Sequence, residues 1–250
     1  MRGVFAGRPE GRKKDSGRGG GGCGISTWSG KMCARGGCPP GVLLWETAGD
    51  VKAMSVRVLY LVRHAYHDQD NPTGSELGGG LTPLGVKQAE LTGKILAQKP
   101  VSSIHCSSLN RADETARIIA KEIPGLVIQP TDLLWECIPS MTAKLQIEMP
   151  NYTSQQVAQD RQRAEIAFRK YCKIAKRGDK HDVIVCHGNL IRYFVTMVLK
   201  AEVDSWMRMD ICNCGITQIL VQPEGDMAVL CHNDWSHLPK DLRTSTLRPS

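Results

Sequence analysis

From about residue 56 onward, short apolar runs alternate with segments of helical periodicity, and this alternation limits the fold more than any other feature of the chain. Val56–Val62 is β-branched and apolar, and Ser103–Ser107, Leu126–Gln129 and Asp182–Cys186 are further short runs of strand character. Between and after them lie helical patterns. Thr82-Pro83 opens one, with Thr as N-cap, Pro at the first helical position, and Leu84, Ala89, Leu91, Ile95 and Leu96 at helical spacing. Asn110–Glu122, Gln155–Ala175 and Asn189–Leu199 are the others, while Ile216–Val221 and Ala228–Cys231 read as a hairpin turned at Pro223–Gly225. Strands that alternate with helices predict an α/β fold: a mostly parallel central sheet with helices on both faces. Such sheets bind ligands beyond the carboxyl ends of their strands.

The first fifth of the chain has a different character. Residues 1–54 hold nine Lys or Arg against four Asp or Glu, and 14 of the 25 glycines fall in residues 1–50. So much glycine with so little apolar surface does not offset the entropy of ordering the backbone. The expected organisation is therefore a disordered Gly/Arg-rich extension over 1–54 and one folded domain over 55–250. Three readings of the extension stay open: an import sequence, a plain tail, or an upstream mis-start with Met54 as the true first residue. It lacks the interleaved aromatic residues that stack on bases, so nucleic acid is not an expected partner.

No apolar run reaches the length needed to cross a bilayer, which excludes a transmembrane helix. The ten cysteines form no CxxC pair and show no zinc or haem spacing. Reduced thiols, and hence an intracellular compartment, are expected. No metal site and no cofactor are expected.

Residues at the strand ends point to chemistry. His64 and His187 each directly follow an apolar run and so emerge at the same edge of the sheet. Arg63 precedes His64, and Arg111 lies just beyond Ser107-Ser108. Two His, two Arg and an acid suit phosphoryl transfer. Imidazole attacks phosphorus near neutral pH, guanidiniums hold phosphate oxygens with forked donors, and a carboxylic acid protonates the departing oxygen. His67 reads as a solvated loop residue and His105 as a structural strand residue. Ser107 and Asn189 divide between binding phosphate and capping the following helix. The charged run Arg161–Arg169 reads as a solvated helix face.

Leu61-Val62-Arg63-His64 with Leu81–Gly85, Ser107–Ala116 as S-x-x-x-R-A-x-E-T, and Cys186-His187-Gly188-Asn189-Leu190-Ile191-Arg192 together resemble the histidine phosphatase superfamily, which includes the cofactor-dependent phosphoglycerate mutases. The three motifs keep the family's order over about 130 residues. Within it the chain is more similar to a phosphoglycerate-mutase-like group of mitochondrial serine/threonine protein phosphatases. The resemblance runs from about Val56 to Ser245 and includes Ala164–Tyr171 and Pro239-Lys240-Asp241. It implies His64 as the phosphorylated nucleophile, Arg63, Arg111 and His187 as phosphate ligands, and Glu136 as the general acid. Glu114 and Asp113 are the next candidates for that acid. The chain departs at Ala65, where the superfamily usually has Gly.

The function implied is a metal-independent protein serine/threonine phosphatase working through phosphohistidine, with a phosphorylated protein as substrate. The resemblance leaves a homo-oligomer open and implies mitochondrial placement, with the cytoplasm as alternative. A phosphoglycerate mutase or a small-molecule (sugar) phosphatase is the runner-up. Only 51 positions separate Glu136 from His187, which leaves little room for the long insert that closes a mutase site. A non-catalytic scaffold is the remaining reading, against which all the motif residues are present.

Overall fold

The computed structural model describes residues 55–68 and 79–245. The expectation for residues 1–54 lies outside the described residues. Among the described residues six strands form one sheet in the order β3-β2-β4-β1-β5-β6, with β1 at Arg57–Arg63, β2 at Ser103–Ser107, β3 at Ile128–Thr131, β4 at Lys180–Cys186, β5 at Ile216–Val221 and β6 at Met227–Asp234. The pairs β2·β3, β2·β4 and β1·β4 are parallel, whereas β1·β5 and β5·β6 are antiparallel. The sheet is therefore mostly parallel, with the hairpin as its antiparallel edge. The hairpin turns at Gly225, whose φ of 101° is open to glycine at no steric cost.

Helices cover both faces, and the two-residue period of the strands decides which. Leu59 and Leu61 of β1 and Ile184 of β4 pack with Leu190, Ile191 and Phe194 of α5 (Gly188–Val198) and Ala164, Ala167 and Tyr171 of α4 (Ser154–Tyr171). Val58, Tyr60 and Val62 point the other way, with Val183 and Val185. They meet Leu96 of α1 (Pro83–Leu96) and Ala112, Ala116 and Ile119 of α2 (Asn110–Lys121).

The element limits follow from local chemistry. Thr82 caps α1 by accepting the Gly85 amide at 3.2 Å, with Pro83 at the first position. Thr153 and Gln156 form a reciprocal capping box that starts α4, which ends at Tyr171, short of the expected Ala175. β3 lies two residues beyond the expected Leu126–Gln129. Among the described residues it pairs with β2 alone, and an edge position tolerates Pro130. A short helix α3 (Ala143–Glu148) and a 3₁₀ segment at Val203–Arg208 had no periodic signal in the sequence.

Candidate active site

The register of β1 on β4 builds the centre of the site. Arg63 faces Cys186, so the next residues, His64 and His187, emerge side by side with ring centroids 5.2 Å apart. The His64 amide donates to the Cys186 carbonyl at 2.8 Å, and Asn213 Nδ2 donates to the His64 carbonyl at 2.9 Å. The following residue, Ala65, donates its amide to Thr115 Oγ1 at 3.0 Å. Helix α1 then closes on the loop: a Cβ at Gly85 would stand 2.0 Å from the Tyr66 carbonyl oxygen, so glycine is required for this approach.

His64 is buried, and its ring orientation is defined. Its Nδ1 lies 2.8 Å from the Ala65 carbonyl, which can only accept, so Nδ1 carries the proton. Nε2 therefore holds a lone pair, and Arg111 Nε donates to it at 3.3 Å from the first turn of α2. Burial, and next the neighbouring His187, Arg63 and Arg111, hold the His64 imidazole well below the usual histidine range. It is a neutral, lone-pair-bearing nitrogen at physiological pH.

His187 is the N-cap residue of α5 and is fully buried. Its Nε2 is 2.8 Å from Ser107 Oγ, at the end of β2, while its Nδ1 is buried without a partner. Burial and Arg111 keep it neutral as well. Arg63 spends one guanidinium nitrogen on the Ile211 carbonyl at 2.6 Å, and its Nε is buried without a partner.

Glu136 arrives from far along the chain. It follows the 3₁₀ turn Asp132–Leu134, and its Oε1 accepts the Cys137 amide at 3.1 Å and the Asn189 amide at 3.2 Å. The second of these is an early amide of α5, a favourable seat for a carboxylate. Burial nonetheless raises the Glu136 carboxyl above the usual carboxylate range, although Arg63 and Arg111 oppose the rise. A cleft of about 190 Å³ opens beside it, lined by Arg63, Glu136, Gly188, Asn189, Arg192 and Ile211.

All five candidate residues thus face one region, and the structure adds others. His67 lies in the site and not in solvent: its ring meets His64 edge-on at 4.9 Å, and its Nδ1 is buried without a partner. Burial, then Arg111 and Arg63, lower it to about 4. An isolated bridge from His67 to Leu81 turns it inward, a long-range contact with no local signal. Ser107 and Asn189 do not cap: the N-cap residues of α2 and α5 are Leu109 and His187. Ser107 serves His187, and Asn189 Oδ1 accepts from Arg192 at 3.0 Å. His105 is spent on Ser103 Oγ at 3.1 Å. The charged face of α4 is solvated at Arg161 and Arg169, but Arg163 turns inward and donates to the Glu136 carbonyl at 2.7 Å. Asn213 and Arg192 carried no separate signal, although Arg192 closes the third motif. Glu114 accepts the Leu81 amide at 2.7 Å and Asp113 pairs with Arg117 at 2.7 Å, so both alternative acids are engaged elsewhere. Among the described residues, no group of three or more His, Cys, Asp or Glu is placed to hold a metal, and no helix is long and apolar enough to cross a membrane.

Known proteins resemble this chain in sequence and fold. Residues 59–234 match the profile of the histidine phosphatase superfamily (branch 1). Over 198 residues the chain is 35% identical to "Serine/threonine-protein phosphatase PGAM5, mitochondrial" of Rattus norvegicus, covering 77% of this chain and 68% of that one. The Homo sapiens protein of the same name is 34% identical over 198 residues, with the same coverage. A phosphoglycerate mutase from Plasmodium falciparum superposes with a TM-score of 0.51 at 30% identity, over 74% of this chain and 96% of that one. YhfR of Bacillus stearothermophilus, with a TM-score of 0.59 at 22% identity over 72% and 98%, shares the fold. The match spans both strand-end histidines, and the chain belongs to branch 1 of the histidine phosphatase superfamily.

Proposed function

We propose that the chain is a protein serine/threonine phosphatase that works through a phosphohistidine at His64. The observation that carries this reading is the His64 ring, its Nδ1–H held by the Ala65 carbonyl and its Nε2 lone pair facing Arg111. Nε2 attacks phosphorus without first losing a proton. As the N–P bond forms and the P–O bond breaks, Glu136 delivers its proton to the leaving oxygen. Its raised carboxyl suits that donor role. Glu136, now ionised, then takes a proton from water, which attacks the phosphohistidine, releases inorganic phosphate and restores neutral His64. Arg63, Arg111 and His187 hold the phosphoryl oxygens through both steps and stabilise the charge that develops on them.

The names of the relatives, serine/threonine-protein phosphatases, support a protein substrate, and the cleft beside Glu136 gives the departing oxygen a place next to the acid. The same names support mitochondrial placement, with the cytoplasm as alternative. We propose residues 55–250 as the catalytic domain, preceded by the Gly/Arg-rich extension. The guanidiniums do the charge neutralisation that a metal would otherwise supply, so turnover is expected to survive EDTA.

The test is label trapping. Labelled phosphoserine peptide should leave an acid-labile, base-stable label on the wild type and none on His64→Ala. A panel of phosphopeptides, phosphoglycerates and sugar phosphates, run in EDTA, then ranks the substrates. Label retained by His64→Ala refutes the nucleophile, and a preference for phosphoglycerates or sugar phosphates refutes the protein substrate.

A further inference from the structure

Glu136 sits in a segment with little backbone support. Among the described residues, the amide of Trp135 on the Asp132 carbonyl is the one backbone–backbone hydrogen bond made by residues 135–138. Trp135 Nε1 donates to Ser108 Oγ at 2.7 Å, Cys137 and Ile138 are buried, and the peptide groups after Glu136 are held by a pair of charged side chains on α4. Arg163 donates one nitrogen to the Glu136 carbonyl at 2.7 Å and to Asp160 Oδ1 at 2.6 Å. Asp160 Oδ2 accepts the Ile138 amide at 2.7 Å and the Tyr152 hydroxyl at 2.5 Å. The pair grips the two peptide groups that follow Glu136, while the Cys137 and Asn189 amides orient its carboxyl from the other end.

We propose that Asp160 and Arg163 are positioning residues that hold Glu136 where it can protonate the leaving oxygen, an inference that rests on the general-acid reading of Glu136. Stability alone explains the pair poorly. Asp160 is only 7% exposed, and a buried ion pair adds little over apolar residues of the same volume. What the pair supplies is direction: two hydrogen bonds at 2.7 Å fix the Glu136 carbonyl and the Ile138 amide, and two more, from Arg163 and Tyr152 to Asp160, fix the pair itself. Misplacing a reacting group by 1 Å costs on the order of 10²-fold in rate.

The experiment compares kcat/KM for a phosphoserine peptide, whose alkoxide needs a proton to leave, with kcat/KM for p-nitrophenyl phosphate, whose phenolate does not. In the full-length Arg163→Gln variant the peptide value should fall about 10- to 100-fold and the aryl value several times less. Arg163→Lys, which restores one donor, should recover part of the peptide loss. Asp160→Asn keeps an acceptor for Ile138 but cannot accept from Arg163, and should show the same bias. Arg161→Gln, two residues away on the exposed face, should show none. Rates are normalised to the folded fraction, and if Arg163→Gln does not fold, Asp160→Asn carries the comparison. Equal losses on both substrates, or a Lys variant no better than Gln, overturn the proposal. If Glu136→Gln shows the leaving-group bias and the α4 variants do not, the clamp alone fails. If Glu136→Gln shows no bias, the general-acid reading fails and takes the clamp with it.

Discussion

Glu136→Gln isolates the chemistry of the general acid, because the structure leaves little else for it to disturb. The amides of Cys137 and Asn189 both donate to Oε1. The amide oxygen of Gln can accept both bonds, so the side chain keeps its seat. Its NH₂ then occupies the place of the carboxyl proton and cannot be given up. The expected loss is that of general-acid catalysis, about 10²- to 10⁴-fold in kcat/KM for a phosphoserine peptide. At 1.36 kcal/mol per factor of ten, this is about 3–5 kcal/mol of transition-state stabilisation. For p-nitrophenyl phosphate, kcat/KM should fall by less than tenfold, since that ratio reads only the steps through P–O cleavage. kcat should fall for both substrates, because Glu136 also takes the proton from the attacking water. The variant should therefore release one equivalent of nitrophenol per site in a burst and then turn over slowly, with label accumulating on His64. Stopped-flow absorbance and quench-flow labelling read both quantities. Equal losses in kcat/KM for the two substrates, with no burst, would refute the acid–base role.

Arg111→Ala removes a phosphate ligand and the donor to His64 Nε2, so kcat/KM should drop by about 10²-fold or more on peptide and aryl substrates alike, and a strong leaving-group bias would contradict it. The depressed pKa values of His64, His187 and His67 mean that the unfolded chain binds more protons below pH 6.5. Stability should therefore be fully present above about pH 6.5 and fall as the pH drops towards 4, with His67→Asn flattening that fall in thermal melts. Gly85→Ala drives a Cβ into the Tyr66 carbonyl; a loss of about 1–3 kcal/mol or more in urea unfolding is expected, and a loss within 0.5 kcal/mol would show that the α1 approach is soft.

Much of the scaffold was legible because its signals are local. The β-branched run Val56–Val62, the Thr82-Pro83 start of α1 and the alternation of strand and helix each follow from residues a few positions apart. β2 was read at its full extent, and β5 likewise. The alternation implied parallel strands with both histidines at one edge, but that β1 lies beside β4, which brings His64 and His187 together, came only from the structure. Limits were less legible where tertiary packing decides them: β3 slid two residues along the edge of the sheet, and α3 formed under an apolar cluster around Ile138, Leu145 and Trp206.

The sequence by itself determined the fold class and the strand ends at which Arg63, His64, Arg111 and His187 stand, because periodicity and motif spacing are properties of neighbours along the chain, while Glu136 entered through the family resemblance. Only the tertiary structure decided how those residues are held and tuned. Asn213 reaches His64 across 149 positions, Thr115 reaches Ala65 across 50, and Arg163 reaches Glu136 across 27. His67 changes from a polar loop residue to an edge contact of His64 because Leu81 bridges to it. Such bonds join surfaces that meet only after the sheet has formed and its helices have packed. A single charged or polar side chain carries no periodic signal of which surface it will meet. The same burial that completes the site also shifts its titrating groups, since the cost of desolvating a charge depends on what closes over it in three dimensions.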